Sequence, residues 1–210
     1  MATASPAPEP GKPISAEQVK ALRDATGAGM MDAKRALEAT NGDMEKAKDW
    51  LRQKGMAKAG AKTARTAKEG IIATYLHHNH QLGVLVELNS ESDFVARNEE
   101  FRHLAHEIAV HIAAAEPHYL RREEVPADVL NRERAIFEGQ AAEQKKPPAV
   151  VEKIVQGKLN DFYKREVLLD QAWAKDDKHT VDQVVKQSIA KLGENITISR
   201  FARFKVGEAT

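Results

Sequence analysis

The chain has 210 residues, with Lys+Arg 32 against Asp+Glu 31, a formal charge of +1, 42% hydrophobic and 30% charged residues, and no cysteine. The missing cysteines exclude disulfides, thiolate catalysis and Cys-ligated zinc, and the even charge balance argues against a dedicated nucleic-acid binder, which carries a basic excess or stripe. No run reaches the roughly 18 apolar residues that a membrane span needs, so a helix-rich, well-solvated protein with a proper core is expected.

Residues 1–13, MATASPAPEPGKP, are rich in Pro and Ala and read as a disordered extension. They have neither a basic start nor an apolar block, so no secretory signal is expected and a cytoplasmic location is. Order begins at ISAEQVKALRDATGAG, where Ser15 and Gln18 spell a capping box and Ile14 can staple onto Val19. This helix stops near Gly27, the residue type that best takes a left-handed C-cap. A second helix, MMDAKRALEAT, is closed by Asn41-Gly42, and Asp43 caps a third, MEKAKDWLRQKG. In the second, Met30 falls with Ala33 and Leu37 and is expected in the bundle core, whereas Met31 falls with Lys34 and Glu38 on the outer face. Residues 14–54 thus form a three-helix bundle too small for much chemistry of its own.

Residues 55–69 are Ala-rich and basic. Lys54, Lys58, Lys62, Arg65 and Lys68 recur every four or three residues on one face of what reads as a solvated connecting helix. From Gly70 the period changes to two. In GIIATYLHHNHQLGVLVELN, Leu82, Val84, Val86 and Leu88 share one face of an antiparallel hairpin that turns at 77–83. EEFRHLAHEIAVHIAAAEP returns to helix, with Phe101, Leu104, Ala105, Ile108 and Ile112 as its apolar stripe. The stretch 121–178 is charged and mostly helical, interrupted by Pro126 and Pro147-Pro148. TVDQVVKQSIAKLG is a final helix with Thr180 and Gln183 as a capping box and Gly193 as its stop. NITISRFARFKVG then places Ile196, Ile198, Ala202, Phe204 and Val206 on one side of a strand that completes the sheet. The class is α+β, with an antiparallel three-stranded sheet packed with helices.

Several motifs approach known chemistry and miss it. GMAKAGAKT resembles a phosphate loop, but Ala61 separates the glycine from the lysine and a helix precedes it. HEIAVH places its histidines five apart, which turns the second ring about 140° from the first and breaks the zinc geometry. His77, His78 and His80 beside the hairpin turn could share a metal, although turn histidines are usually just solvated. His111 flanks the apolar stripe and reads first as a hydrogen-bonded histidine at the core's edge, second as a partner contact. Glu99-Glu100 are ordinary helix-start charges.

NSESDFVARNEEF poses the sharpest question. The strand alternation stops at Asn89, and an acidic turn follows that carries Phe94 and Val95. Phe94 either folds back to close the strand–helix junction or stands out to enter something else.

LRDATGAGMMDAKRALEATNGDMEKAKDWLR is similar to the N-terminal ubiquitin-associated-like domain of bacterial elongation factor Ts. LGVLVELNSESDFVARNEEF, GKLNDFYKREVLLDQ and IAKLGENITISRFARFKVG resemble that family's core, in its order, from Ile14 to Gly207. The resemblance implies a guanine nucleotide exchange factor for elongation factor Tu, without covalent chemistry, cofactor or bound metal. It implies that Ser92, Asp93, Phe94 and Val95 match the family's Thr-Asp-Phe-Val turn, which intrudes beside the GTPase's magnesium, Ser92 standing for the usual threonine. It further implies that Gly29, Met30 and Met31 form the head's docking turn, and that Gly83 and His111 are weaker partner contacts. The core appears once where longer members carry two core subdomains, so a homodimer is implied, with residues 70–207 as core and dimerisation domain. Asp93 can disturb the magnesium shell or pair with a partner cation; both stay open. Two rivals remain: a protein-binding scaffold, and an RNA adaptor using the Lys54–Lys68 stripe.

Overall fold

The capping box of Ser15 and Gln18 forms in both directions: Gln18 N donates to Ser15 Oγ at 3.2 Å and Ser15 N to Gln18 Oε1 at 3.0 Å. It opens α1 (Ala16–Thr26), which ends on Gly27 at φ 67°, in the left-handed region where a Cβ is costly. In the computed structural model, which describes residues 14–143 and 147–208, α1 packs with α2 (Met30–Ala39) and α3 (Met44–Lys62). Val19, Leu22, Ala33, Ala36, Leu37 and Ala47 form the bundle core, and Ile14 closes over it as the staple requires. The extension expected over residues 1–13 lies outside the described residues.

Two expectations for the head are corrected. Met30 is not in the bundle core but 52% exposed. It is the first residue of α2, so its side chain lies over the capping turn rather than over a preceding turn of packed helix. The basic connector is not a separate helix either: its first half continues α3, which runs unbroken through residues 54 and 55 to Lys62, while Arg65 and Lys68 lie beyond the helix and off its face. Asp43 caps α3 by accepting from Glu45 N and Lys46 N, both at 3.1 Å. Ala47 lies in the head's core while Ala59, near the other end, is fully buried in the body's.

In the body, β1 (Glu69–Leu76) and β2 (Leu82–Ser90) make the expected hairpin, and β5 (Ile196–Lys205) pairs antiparallel on the other side of β2, giving the order β1-β2-β5. One sheet face is covered by α5 (Glu99–Ala115). Phe101, Ala105, Ile108 and Ile112 on that helix are fully buried against Val84, Val86 and Leu88. Each Phe, Ile, Val or Leu side chain so removed from water contributes about 1.5–3 kcal/mol, and the Ala105 methyl less. The closing helix α8 (Val181–Leu192) has its Thr180–Gln183 capping box. It packs on α3, tying head and body together.

The inward side of β5 differs from the alternation expected for it. Glu87 faces Arg200 but Leu88 faces Ile198, so Ser199 is an extra residue. Such a bulge reverses which side chains point inward. Ile196 and Ile198 are buried as expected, but beyond Ser199 it is Phe201 that packs on the core, while Phe204 is 59% and Val206 72% exposed. The stretch 121–178 holds helices α6 (Ala127–Ala142) and α7 (Pro148–Glu166), packed on each other as a hairpin, with Pro148 in the first turn of α7. It also holds an unforeseen two-stranded ribbon, β3 (Ala172–Trp173) and β4 (Asp176–Thr180). That ribbon delivers Trp173 to the core.

Candidate functional site

The segment after β2 is held from below and bare above. Ser92 is the N-cap of the four-residue helix α4 (Asp93–Ala96). Its hydroxyl donates to Glu194 Oε1 at 2.7 Å and accepts from Val95 N at 3.4 Å, while its backbone N donates to Glu194 Oε2 at 3.0 Å. Val95 and Ala96 are each only 5% exposed and anchor the turn in the core. One residue back, about 100° round the helix, Phe94 points the other way and is 80% exposed. The outward alternative is therefore the one the fold adopts. A lone exposed aromatic is common on protein surfaces; this one is set apart by the fixed backbone beneath it. Asp93 pairs with Arg97 at 2.7 Å across one helical turn. Both side chains are largely exposed, so this pair is weak and readily exchanged for another partner. Asn98 then caps α5 through Glu100 N at 2.8 Å.

In the head, Gly29 is the N-cap of α2 and nothing lies within 4 Å of where its Cβ would be. Met30 and Met31 follow it, the second 61% exposed. A flexible, polarisable thioether suits an adaptable contact. The Gly27–Gly29 turn and Glu100, in the first turn of α5, line one cleft of about 550 Å³ between head and body. Lys191 of α8 sits in this cleft, pairing with Glu100 at 2.5 Å and lying against Gly27.

The weaker candidates separate. Gly83 lies on the uncovered sheet face, opposite Leu76 on β1 and Phe204 on β5. His111 is 1% exposed, stacked on Trp173 at 5.1 Å, and all its polar contacts are internal. Gln171 Nε2 donates to the carbonyls of Ala115 and Arg165, so its Oε1 is left to accept from His111 Nε2 at 3.0 Å. Ala174 N donates to His111 Nδ1 at 3.2 Å. Both ring nitrogens are thus committed in the neutral state, and a second proton would set N–H against N–H. Burial holds this imidazole below its ordinary value of 6.5, with the Gln171 hydrogen bond opposing. The unfolded chain therefore takes up a proton near 6.5 that the folded chain refuses. The associated stability is full above that pH and is lost as pH falls below it. Glutamine at this position can keep both hydrogen bonds without titrating. The unfolding free energy of wild type, measured by denaturant titration, should accordingly fall more than that of His111→Gln between pH ~7.5 and ~5.5, by at most about 1.4 kcal/mol per pH unit. Equal losses would mean that some other group titrates.

Among the described residues no group of three or more His, Asp or Glu side chains could hold a metal ion, so His77, His78 and His80 do not converge. His77 Nδ1 instead hydrogen-bonds Tyr75 Oη at 2.8 Å, and His80 takes a turn conformation at φ 57°. The basic stripe is also engaged within the chain. Lys54 lies over the Trp50 ring at 4.4 Å, Lys58 pairs with Asp32 at 2.9 Å, Lys62 donates to Gly193 O at 2.5 Å, and Arg65 meets Glu91 at 3.5 Å. The hydrogen bond from Lys58 is the chief reason that the Asp32 carboxyl lies below its ordinary range. Glu194, Glu91 and Asn195 hold the Phe94 turn, yet none stood out in the sequence. Their partners are more than a hundred residues away, beyond the reach of any periodicity.

A small helical head, joined through one helix to an α+β body that presents a rigidly mounted aromatic, describes a protein that works by docking on another macromolecule. The family model described as "Elongation factor TS" matches residues 56–208. Elongation factor Ts of Syntrophomonas wolfei is 54% identical over 195 residues, covering 93% of this chain and 91% of that relative. Those of Fervidobacterium nodosum and Thermosipho melanesiensis are 53% and 52% identical, again covering 93% of this chain and 99% and 100% of theirs. The chain belongs to the elongation factor Ts family. Its function is that of a cytoplasmic nucleotide exchange factor for elongation factor Tu in translation elongation, and it is not an enzyme.

Proposed function

We propose that the Ser92–Val95 turn carries the exchange activity by driving Phe94 into the GTPase beside its magnesium and phosphate site, while Gly29, Met30 and Met31 dock the head. The observation that carries this reading is the contrast within one short turn: Phe94 is 80% exposed, whereas Val95 and Ala96 behind it are each 5% exposed. Ser92 and Val95 mount the wedge and Phe94 enters. Asp93, once released from Arg97, approaches the magnesium shell or a partner cation. Mixing the protein with elongation factor Tu preloaded with labelled GDP tests the reading directly: label release should accelerate. Steeply salt-dependent RNA binding without such acceleration would favour the adaptor instead. The engagement of Lys58, Lys62 and Arg65 within the chain argues against that rival.

The division at residue 54 has a consequence for docking. Removing residues 1–54 takes away Met30, Met31 and the first half of α3, but leaves Ala59 in the body's core. Affinity for elongation factor Tu should fall while the body still melts cooperatively. A body without a cooperative transition would mean that the head is part of its fold.

The homodimer is supported by the sheet. Its uncovered face presents Ile72, Leu76, Leu85 and Phe204, between 45% and 63% exposed, with the Glu87–Arg200 pair at 2.8 Å on one flank. Apolar strips on monomers usually mark interaction sites. A face with an apolar strip and one charge of each sign can complement itself under two-fold symmetry. Two such sheets would stack about 10 Å apart. Gly83 lies within this face, so its bare backbone meets whatever covers the sheet. His111 serves from inside, by holding the β3–β4 ribbon to α5.

A further inference from the structure

We infer that Glu194 is a positioning residue for nucleotide exchange, fixing the direction in which Phe94 is presented. The inference rests on the wedge reading above and adds to it the part that aims the wedge. Both oxygens of the Glu194 carboxylate are committed to one residue, Ser92, one to its amide and one to its hydroxyl. Because that hydroxyl gives its proton to Glu194, its lone pair is turned to Val95 N. The grip on the cap therefore passes into the turn that bears the ring.

A four-residue helix needs such help. Nucleating a turn fixes several dihedral angles for very few hydrogen bonds, so an isolated α4 would fray. Burial of Val95 and Ala96 pulls the turn inward but is non-directional. Hydrogen bonds to a charged acceptor are directional and stronger than neutral ones. The Glu194 loop is itself secured. Asn195 N donates to Glu91 Oε1 at 2.6 Å, Asn195 Nδ2 donates to Arg65 O at 2.6 Å, and Lys62 Nζ donates to Gly193 O at 2.5 Å. Asn195 is 1% exposed, and Gly193 takes φ 84°, where a side chain would be strained. Residues 91 and 92 thus exchange hydrogen bonds reciprocally with 194 and 195, and the end of α3 is bound to the same knot. A wedge aimed in advance does not pay its ordering entropy on docking.

The test is stopped-flow release of labelled GDP from elongation factor Tu at saturating factor, for Glu194→Ala, Glu194→Gln, Ser92→Ala, Phe94→Ala and the Glu194→Ala/Phe94→Ala double variant, each with its melting temperature. Glu194→Ala should lower the maximal release rate about tenfold, as expected for removing charge-assisted hydrogen bonds, with little change in the half-saturating concentration. Glu194→Gln keeps one acceptor oxygen and should recover part of the rate, and Ser92→Ala, which loses both hydroxyl bonds and keeps only the amide one, should fall between Glu194→Ala and Glu194→Gln. Added to Phe94→Ala, Glu194→Ala should cost nothing more, because its effect passes through the ring. A wild-type maximal rate in Glu194→Ala, or a loss that adds fully to that of Phe94→Ala, would overturn the positioning role while leaving the wedge intact. If Glu194→Ala proves unstable, Glu194→Gln decides by the same two criteria. A wild-type rate in Phe94→Ala would overturn the wedge itself, and the two failures are told apart by which single variant is silent.

Discussion

Phe94→Ala should leave the melting temperature within the range of an ordinary surface substitution and slow factor-promoted GDP release roughly 10- to 100-fold. The first half follows from exposure: a ring that is 80% exposed buries little on folding, so its loss removes little stability. The second follows from what the ring gains on docking. Burying a Phe side chain is worth about 1.5–3 kcal/mol, and every 1.4 kcal/mol is a factor of ten. The measurement is release of labelled GDP from preloaded elongation factor Tu. An unchanged rate would sink the wedge role, and a variant that fails to fold would mean that the ring supports the strand–helix junction after all.

Why a wedge rather than a reacting group follows from thermodynamics. An exchange factor must bind nucleotide-free elongation factor Tu better than the nucleotide-bound form. Linkage then requires that GDP weaken the factor by the same ratio by which the factor weakens GDP. Binding energy that is equal in both states makes only an inhibitor. On the proposed reading the methionine turn of the head and the Phe94 turn of the body would divide these two tasks: the first would hold on in both states, the second would be accommodated fully only in one. Phe94→Ala should therefore reduce exchange far more than it reduces affinity for the nucleotide-bound GTPase, whereas removing the head should do the reverse.

What could be read from the sequence was whatever is decided locally. The Ser15–Gln18 and Thr180–Gln183 capping boxes form as written, because cap, first turn and side chain lie within four residues of each other. The β1–β2 hairpin and the Phe101–Ile112 stripe of α5 were legible because one face of each is buried and the other is not. Spacing alone puts Met30 with Ala33 and Leu37, but as the first residue of its helix it has no packed turn to lie on. Strict alternation assigns the wrong inward side to β5 beyond Ser199, because the bulge there is a property of its pairing with β2. In the candidate site, the outward ring was posed by the sequence as a question and answered only by the fold. Glu194 could not be found at all, since its partner is 102 positions away.

On the proposed sheet-to-sheet pairing, Leu85→Lys should convert a dimer into a monomer. Leu85 is on the central strand, between Thr74 on β1 and Ala202 on β5, in the middle of the uncovered face, and is 45% exposed. In a two-fold pairing of sheets each central residue lies close to its own copy. The substitution would bring two ammonium groups together in a desolvated centre. Like charges there cost several kcal/mol, enough to weaken association by at least about 100-fold. Sedimentation velocity should show one chain's mass for Leu85→Lys and two for wild type. It should also show two for Ile136→Lys, an equally exposed apolar position on the α6–α7 hairpin. The monomeric variant keeps the Phe94 turn, whose supports come entirely from its own chain. It should therefore still accelerate GDP release, with one GTPase bound per factor instead of two per dimer. A wild type that sediments as a single chain at every concentration would remove the dimer, and a Leu85→Lys variant that stays paired would move the interface off this face.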